Sequence, residues 1–275
     1  MCYILIGLNG FASHIARARP PWGSSVGLIQ INEQLAVGKT VQVSEETFQR
    51  LGASILRIGS LVTLSDQNGK DFRARIITLN PGHCEAFVFE AFGASVESPV
   101  HIHLMQALPK KERLEWIIQK ATELGVHSIV PFESEKSISL AERDTPQKKS
   151  HRWHYIAAKA AQQCRRARIP HVYPVLRFHQ ALDFMEGNDL KLLLWEREPS
   201  QHLKTALAAA GGKTESITLV VGPEGGFSQR ELDMAQQRGY VPARLGRRIL
   251  RTETAAITAI AILQYALGDL GRRAE

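Results

Sequence analysis

From Val100 to Leu267 the chain alternates between two hydrophobic rhythms, and this alternation limits the available folds more than any other feature. Unbroken apolar runs recur as VHIHLMQAL (100–108), SIVPF (128–132), HVYPVL (171–176), LKLLLWE (190–196), SITLVVG (216–222) and a brief YVPARL (240–245). Short runs of this kind, bounded by turn residues, mark strands buried on both faces. Between them, apolar residues fall at helical spacing. In Lys111–Gly125, Leu114, Ile117, Ile118, Ala121 and Leu124 line one face. Further helices are expected over Gln147–Arg168, Phe178–Met185, His202–Ala210, Ser228–Gln237 and Thr252–Leu267. Strands and helices in alternation build a parallel sheet covered on both sides, an α/β fold.

The first hundred residues follow a different rule. Leu28–Ile31, Thr40–Val43, Leu61–Leu64, Phe72–Leu79 and Cys84–Phe89 read as short strands, separated by turn-like Asp66-Gln67-Asn68-Gly69 and Asn80-Pro81-Gly82. Evenly spaced strands with polar turns predict a small β-barrel or sandwich. The small, polar Ala91–Pro99 marks the change of rhythm, which divides the chain into units of 26–96 and 97–275. Residues 1–25 form a leader, expected to be disordered. Met1–Leu8 is apolar, but the arginines Arg17 and Arg19 follow it, whereas a secretory signal places its positive charge first.

Composition removes several function classes. Hydrophobic residues make up 44% and charged residues 22%, the balance of a globular protein, and no apolar run approaches the length of a membrane span. Cys2, Cys84 and Cys164 show neither metal-binding spacing nor a disulfide framework, which fits a reducing cytoplasm. Lys and Arg outnumber Asp and Glu by 34 to 27, and the net charge of +7 favours a polyanionic partner.

Two loops carry the chemistry, each at the carboxyl end of a strand, where ligands of open α/β sheets bind. The first is Leu219-Val-Val-Gly-Pro-Glu-Gly-Gly-Phe-Ser228. Gly222, Gly225 and Gly226 permit unusual backbone angles and close approach of a ligand. Ser228 with Glu231 has the spacing of a capping box, so a helix should start there. The loop matches neither GxxxxGK[ST] nor GxGxxG. Glu224 within it would repel a phosphate and suit a cation or an N–H in need of a base. The glycines alone equally fit a tight strand-to-helix turn. The second loop, Leu245-Gly-Arg-Arg-Ile-Leu-Arg-Thr-Glu-Thr-Ala255, crowds Arg247, Arg248 and Arg251 before a helix that opens with Thr252 and Glu253. Thr252 and Glu253 fit an ordinary helix start as well as a catalytic role. Three neighbouring arginines point to something anionic.

Together GPEGGFSQRELDMA and LGRRILRTETAAITAIAIL resemble the signature of the bacterial 16S rRNA (uracil-N3)-methyltransferases, members of the SPOUT class. LPKKERLEWIIQKATELGVHSIVPFESEKS, AAQQCRRARIP and LLWERE resemble further segments of that family, and ILRIGSLVTLSDQNGKDFRARI resembles part of its PUA-like barrel. The resemblance is strong over 100–275, thin over 28–90 and absent before about Leu28. Arg165 stands where the family commonly has a small Gly, and Phe48-Gln49-Arg50 replaces its usual His-His pair.

The resemblance implies an N-terminal PUA-like RNA-binding β-barrel and a C-terminal SPOUT domain with a deep trefoil knot. It implies a cytoplasmic homodimer that uses S-adenosylmethionine to methylate N3 of a uridine in the 16S rRNA of the small ribosomal subunit. Leu194, Val221, Gly222, Pro223, Glu224, Gly225, Gly226, Leu245, Gly246, Ile249, Leu250, Arg251 and Thr252 would hold the cofactor. Glu224 and Glu253 are the candidate bases, and Arg251 would stabilise charge on the uracil oxygens. RNA contacts would come from Lys110, Lys111, Arg113, Lys120, Gln163, Arg165, Arg166, Arg247 and Arg248. Lys120 and Glu123 equally fit a helix-surface ion pair.

Two rivals stand beside this reading. A non-catalytic RNA-binding or ribosome-assembly factor on the same fold would not need both loops. A nucleotide-dependent oxidoreductase would need the dinucleotide fingerprint that the chain lacks. His101 with His103, and His151 with His154, lack a third ligand nearby in sequence, so no metal is expected.

Overall fold

The predicted N-terminal strands form a single twisted sheet. A computed structural model describes residues 28–44, 57–80, 82–93, 97–109, 113–139, 152–198, 201–210 and 214–271. Strands β1 (Leu28–Gln30), β2 (Thr40–Ser44), β3 (Leu61–Ser65), β4 (Asp71–Asn80) and β5 (His83–Ala91) lie in the order β1-β3-β4-β5-β2. Pairing is antiparallel apart from the β1–β3 edge. The predicted turn after β3 closes on Asp66, whose Oδ1 accepts from the Asn68 and Lys70 amides at 2.8 and 2.9 Å. Register shifts at Arg73/Ala74 and Ile76/Thr78 bend the β4–β5 ribbon. Val41, Val43, Leu64, Phe72, Ala74, Ile76, Ala86 and Val88 pack on its concave side. The leader and Phe48-Gln49-Arg50 lie outside the described residues.

The alternation from Val100 onward produces the second, larger unit. Strands β6 (His101–Ala107), β7 (Ser128–Glu133), β8 (His171–Val172), β9 (Leu176–Arg177), β10 (Leu190–Leu194), β11 (Ser216–Val221) and β12 (Val241–Ala243) form one sheet. Its order is β12-β10-β11-β6-β7-β8, with β9 also on β7. Every pair is parallel.

Alternating side chains send Ile102, Leu104, Ile129, Leu192 and Leu219 to one face. There they meet α1 (Arg113–Glu123), α2 (Trp153–Gln163), α4 (Leu203–Ala209) and α6 (Thr252–Ala266). Met105, Val130, Phe132, Leu193 and Val220 face the other way, onto α3 (Phe178–Phe184) and α5 (Gln229–Gln237). Helix α1 buries Leu114, Ile117, Ile118 and Ala121, the stripe its spacing predicted.

Two elements differ from expectation. HVYPVL is two short strands rather than one, because Pro174 has no N–H to give a ladder. Helix α2 ends at Gln163 rather than Arg168, because Arg165 adopts φ 60° and turns the chain away. Residues 147–151 lie outside the described residues.

The two sheets meet along β3, which is buried on both sides. Thr63 donates its hydroxyl to the Ala167 carbonyl, and the buried Arg73 donates to Thr63 and to the Arg166 carbonyl. No described helix is long and apolar enough to cross a membrane.

Candidate active site

Parallel pairing brings four strand ends to one edge of the large sheet. Leu194 of β10 lies beside Val221 of β11 and Ala243 of β12, and Val221 lies beside Gln106 of β6. The chain that leaves these strands therefore has to gather above a single line. Both loops singled out by sequence arise there.

The first loop, 222–226, is held by its own residues. Gly226 has φ +66°, which only glycine adopts without strain. A Cβ on Gly222 would come within 2.9 Å of the Phe227 ring. That glycine makes room for the Phe227 ring. The predicted capping box is present: Ser228 Oγ accepts from the Glu231 amide at 3.2 Å, and Glu231 Oε2 accepts from the Ser228 amide at 3.0 Å. Glu231 also anchors the loop after β7, its Oε1 accepting from the Glu135 amide at 2.9 Å.

The second loop, 245–252, returns to the first at the start of α6. Thr252 donates its hydroxyl to the Gly222 carbonyl at 2.7 Å and accepts from Gln106 Nε2 at 3.0 Å. Arg251 is the N-cap residue of α6, with φ −63° and ψ 152°, and its side chain is exposed. Glu253 falls in the first turn, where a carboxylate complements the helix dipole. Leu194, Leu245 and Leu250 are partly buried around the loops, while Ile249 is 85% exposed beside exposed Arg247 and Arg248. Pro223 is buried, and a Cβ on Gly246 would meet nothing within 4 Å.

Charge converges on Arg113. Its Nη1 lies 2.7 Å from Glu224 Oε1 and its Nε lies 3.7 Å from Glu253 Oε1. One guanidinium thus bridges the two candidate bases, one from each loop. The other oxygen of Glu253, Oε2, is buried with no hydrogen-bond partner among the described residues. A buried carboxylate oxygen of this kind suits a cation or the N–H of a ligand.

The remaining residues expected to meet RNA divide. Arg166 requires correction. It is 5% exposed and contacts Glu97 Oε2 at 2.6 Å, and it donates to the Thr122 and Val126 carbonyls at 2.8 and 3.0 Å. A buried guanidinium must satisfy five N–H groups, and the junction between the two units supplies the acceptors. Arg166 is therefore an internal pin, withdrawn from any RNA surface. Lys120 forms the alternative helix pair, 2.9 Å from both oxygens of Glu123. Gln163, Arg165, Arg247 and Arg248 are exposed. Lys110 and Lys111 lie outside the described residues.

Gln106 and Lys136 were missed by sequence reasoning. Lys136 Nζ donates to the Phe227 carbonyl at 3.3 Å, beside the first loop. Gln106 had a legible signal, since it follows Ile102 and Leu104 on the same strand face, where a third apolar residue is due. His101, His103 and His127 cluster, with the His101 ring tilted and the His103 ring edge-on to His127, centroids 4.3 and 5.0 Å away. Burial, then the neighbouring His101, pushes His103 down to about 3. Among the described residues no group of three or more His, Cys, Asp or Glu could hold a metal ion.

Comparison with known proteins agrees with this geometry. A family model described as an RNA methyltransferase domain matches residues 96–264, from just before β6 into α6. Ribosomal RNA small subunit methyltransferase E of Bacillus subtilis is 31% identical over 238 residues, covering 85% of this chain and 93% of the relative. The Mycobacterium bovis protein of the same name is 33% identical over 221 residues, covering 78% and 82%. A crystal structure of ribosomal RNA small subunit methyltransferase E from Neisseria gonorrhoeae, bound to S-adenosyl methionine, superposes with a TM-score of 0.63. It is 33% identical, covering 89% of this chain and 99% of that one. The chain belongs to the ribosomal RNA small subunit methyltransferase E family of RNA methyltransferases.

Proposed function

We propose that this protein transfers a methyl group from S-adenosylmethionine to N3 of a uridine in 16S rRNA of the small ribosomal subunit. The observation that carries the reading is the meeting of loops 222–226 and 245–252 above four parallel strand ends, with Arg113 bridging a carboxylate from each. The residues present fit a sulfonium-bearing nucleoside. Glu224 and Glu253 offer negative charge, Leu194, Leu245 and Leu250 offer apolar surface, and the main chain of Val221–Gly226, Gly246 and Ile249–Thr252 offers polar groups. When bound, the cofactor supplies an electrophilic methyl group.

The chain's own part is to orient the acceptor base and handle a proton. N3–H of uracil is largely protonated at neutral pH, so a base has to take that proton. Of the two candidates, Glu253 has the bare oxygen, whereas Glu224 is engaged by Arg113 at 2.7 Å. Glu253 is therefore the proton acceptor, and Glu224 with Arg113 holds it in place. Arg251, exposed at the N-cap of α6, faces negative charge that develops on the uracil oxygens. Arg247, Arg248, Lys110, Lys111, Gln163 and Arg165 provide the surface for rRNA phosphates.

The finer architecture belongs to the same proposal. Residues 26–96 are a PUA-like RNA-binding barrel, 97–275 are the catalytic domain with a deep trefoil knot, and two copies pair through that knot in the cytoplasm. Supporting the pairing is Ile249, an apolar side chain left 85% exposed within the site.

The test is a methylation assay with labelled S-adenosylmethionine. Its substrates are small subunits and total RNA from cells that lack their own N3-uridine enzyme, followed by nucleoside mass analysis. Formation of 3-methyluridine is the expected outcome. Cofactor binding without transfer to any RNA would overturn the target, and no cofactor binding would replace the enzyme with an RNA-binding or ribosome-assembly factor.

A further inference from the structure

Gln106 is a buried polar side chain on a strand face whose other members belong to the apolar core. Ile102 and Leu104 precede it at the strand period, and all three have 0% exposure. An amide in such a place costs free energy unless its groups are hydrogen-bonded. Its partners lie in the site. Nε2 donates to the Ala107 carbonyl at 3.0 Å and to Thr252 Oγ1, 146 residues away, also at 3.0 Å.

The direction of these bonds is set by chemistry. The Ala107 carbonyl only accepts, so the NH2 end of Gln106 has to face it, and that same NH2 group meets Thr252. Thr252 must then accept with its oxygen, which leaves its hydrogen for the Gly222 carbonyl at 2.7 Å. The result is a one-way chain from Gln106 to Thr252 to Gly222. It ties the end of β6, the start of α6 and the first residue of the 222–226 loop. Gln106 Oε1 ends the chain buried and without a hydrogen-bond partner among the described residues. A polar atom left unsatisfied is a poor choice for stability alone.

We infer that Gln106 is a positioning residue of the cofactor site. It orients the Thr252 hydroxyl and so fixes the spacing of loops 222–226 and 245–252 before the cofactor arrives. The inference rests on the S-adenosylmethionine reading of the site and adds a residue that does not itself contact the reactants. Preorganisation of this kind stores no strain and acts on affinity, because the loops need not be ordered again on binding.

The experiment is a double-mutant cycle on the full chain with Gln106→Leu, Thr252→Val and the pair. Calorimetric titration of S-adenosylmethionine and thermal unfolding of the ligand-free protein are the readouts. Gln106→Leu extends the Ile102–Leu104 row, so its ligand-free Tm should stay at or above that of the wild type. Its cofactor affinity should fall about tenfold, the loss expected for one net hydrogen bond. Thr252→Val should fall by a similar factor and the double variant no further, while Thr252→Ser, which keeps the hydroxyl, should bind nearly as the wild type does.

Undiminished affinity in Gln106→Leu would overturn the inference, as would a loss of about a hundredfold in the pair, which means independent action. A fall in ligand-free Tm that parallels the affinity loss would make Gln106 a packing residue instead. Should the wild type itself not bind the cofactor, the proposed function fails. The ligand-free Tm cycle then decides the Gln106–Thr252 coupling by itself, with additive shifts overturning it.

Discussion

Arg113 shows how far single residues could be read from the chain. As a cation near a helix start it was expected to meet RNA, yet its half-buried side chain is turned to two carboxylates. Its link to Glu224 and Glu253, 111 and 140 positions later, is a product of sheet order that no local pattern encodes. The two acids and the Gly-rich loop were legible because they are contiguous motifs. Gln106 was visible only as an interruption of an apolar row.

Removing the bare oxygen with Glu253→Gln should lower methyl transfer about a hundredfold or more while cofactor affinity changes by only a few fold. Glu224→Gln should cost less, and single-turnover assays separate the two. Arg251→Ala should lose on the order of a hundredfold in transfer with an unchanged Tm, because the side chain is exposed. An equal loss in a thermal melt would assign Arg251 to folding instead. Arg165 holds φ 60° in an exposed helix-stop position. Arg165→Gly should therefore raise stability by about 0.5–1 kcal/mol in urea unfolding and weaken rRNA binding.

At the scale of elements, periodicity told strands from helices and told which side of each is buried. It carried no information on which strands are neighbours. The insertion of β11 between β6 and β10 is fixed by pairs such as Gln106 with Val221, far apart in the chain. Boundaries followed local chemistry where that chemistry was strong. Ser228 and Glu231 start α5 as the capping box predicted, and Pro174 splits a run that composition alone would keep whole. The end of α2 was misplaced because nothing in the residue type of Arg165 announces a left-handed backbone. Ser228→Ala should cost about 1 kcal/mol of stability in denaturant melts by leaving the Glu231 amide unpaired, and cofactor affinity should fall with it as the 222–226 loop loosens.

The whole molecule is held by a buried ion pair at the seam of its two sheets and by histidines kept neutral. Glu97 and Arg166 have side-chain exposures of 10% and 6%, so removing one partner leaves a charge without water. Glu97→Ala should destabilise by about 3 kcal/mol or more, read from urea unfolding. His103, His127, His154 and His171 are all driven below the usual 6.5 chiefly by burial, His103 to about 3 and His171 to about 4. Groups whose pKa falls on folding bind protons better when unfolded. Their contribution is therefore complete above about pH 6.5 and is lost as pH drops toward 4 and below. Tm should be level from pH 7 to 8 and decline between 6.5 and 4, and His103→Phe should flatten that decline.

The position of β6 between β7 and β11 has a consequence for how the protein is made. As the chain emerges, β6 pairs with β7 almost at once, but its opposite edge waits for β11, roughly 110 residues later. At ordinary elongation rates of about 5–20 residues per second, that edge stays open for some 5 to 20 seconds. Throughout that interval a row of unsatisfied amides and carbonyls, flanked by Ile102, Leu104 and Met105, is free to pair with a neighbouring nascent chain. High-level expression should therefore favour insoluble product that forms before release from the ribosome. Slower translation or lower temperature should recover soluble protein without any change in sequence.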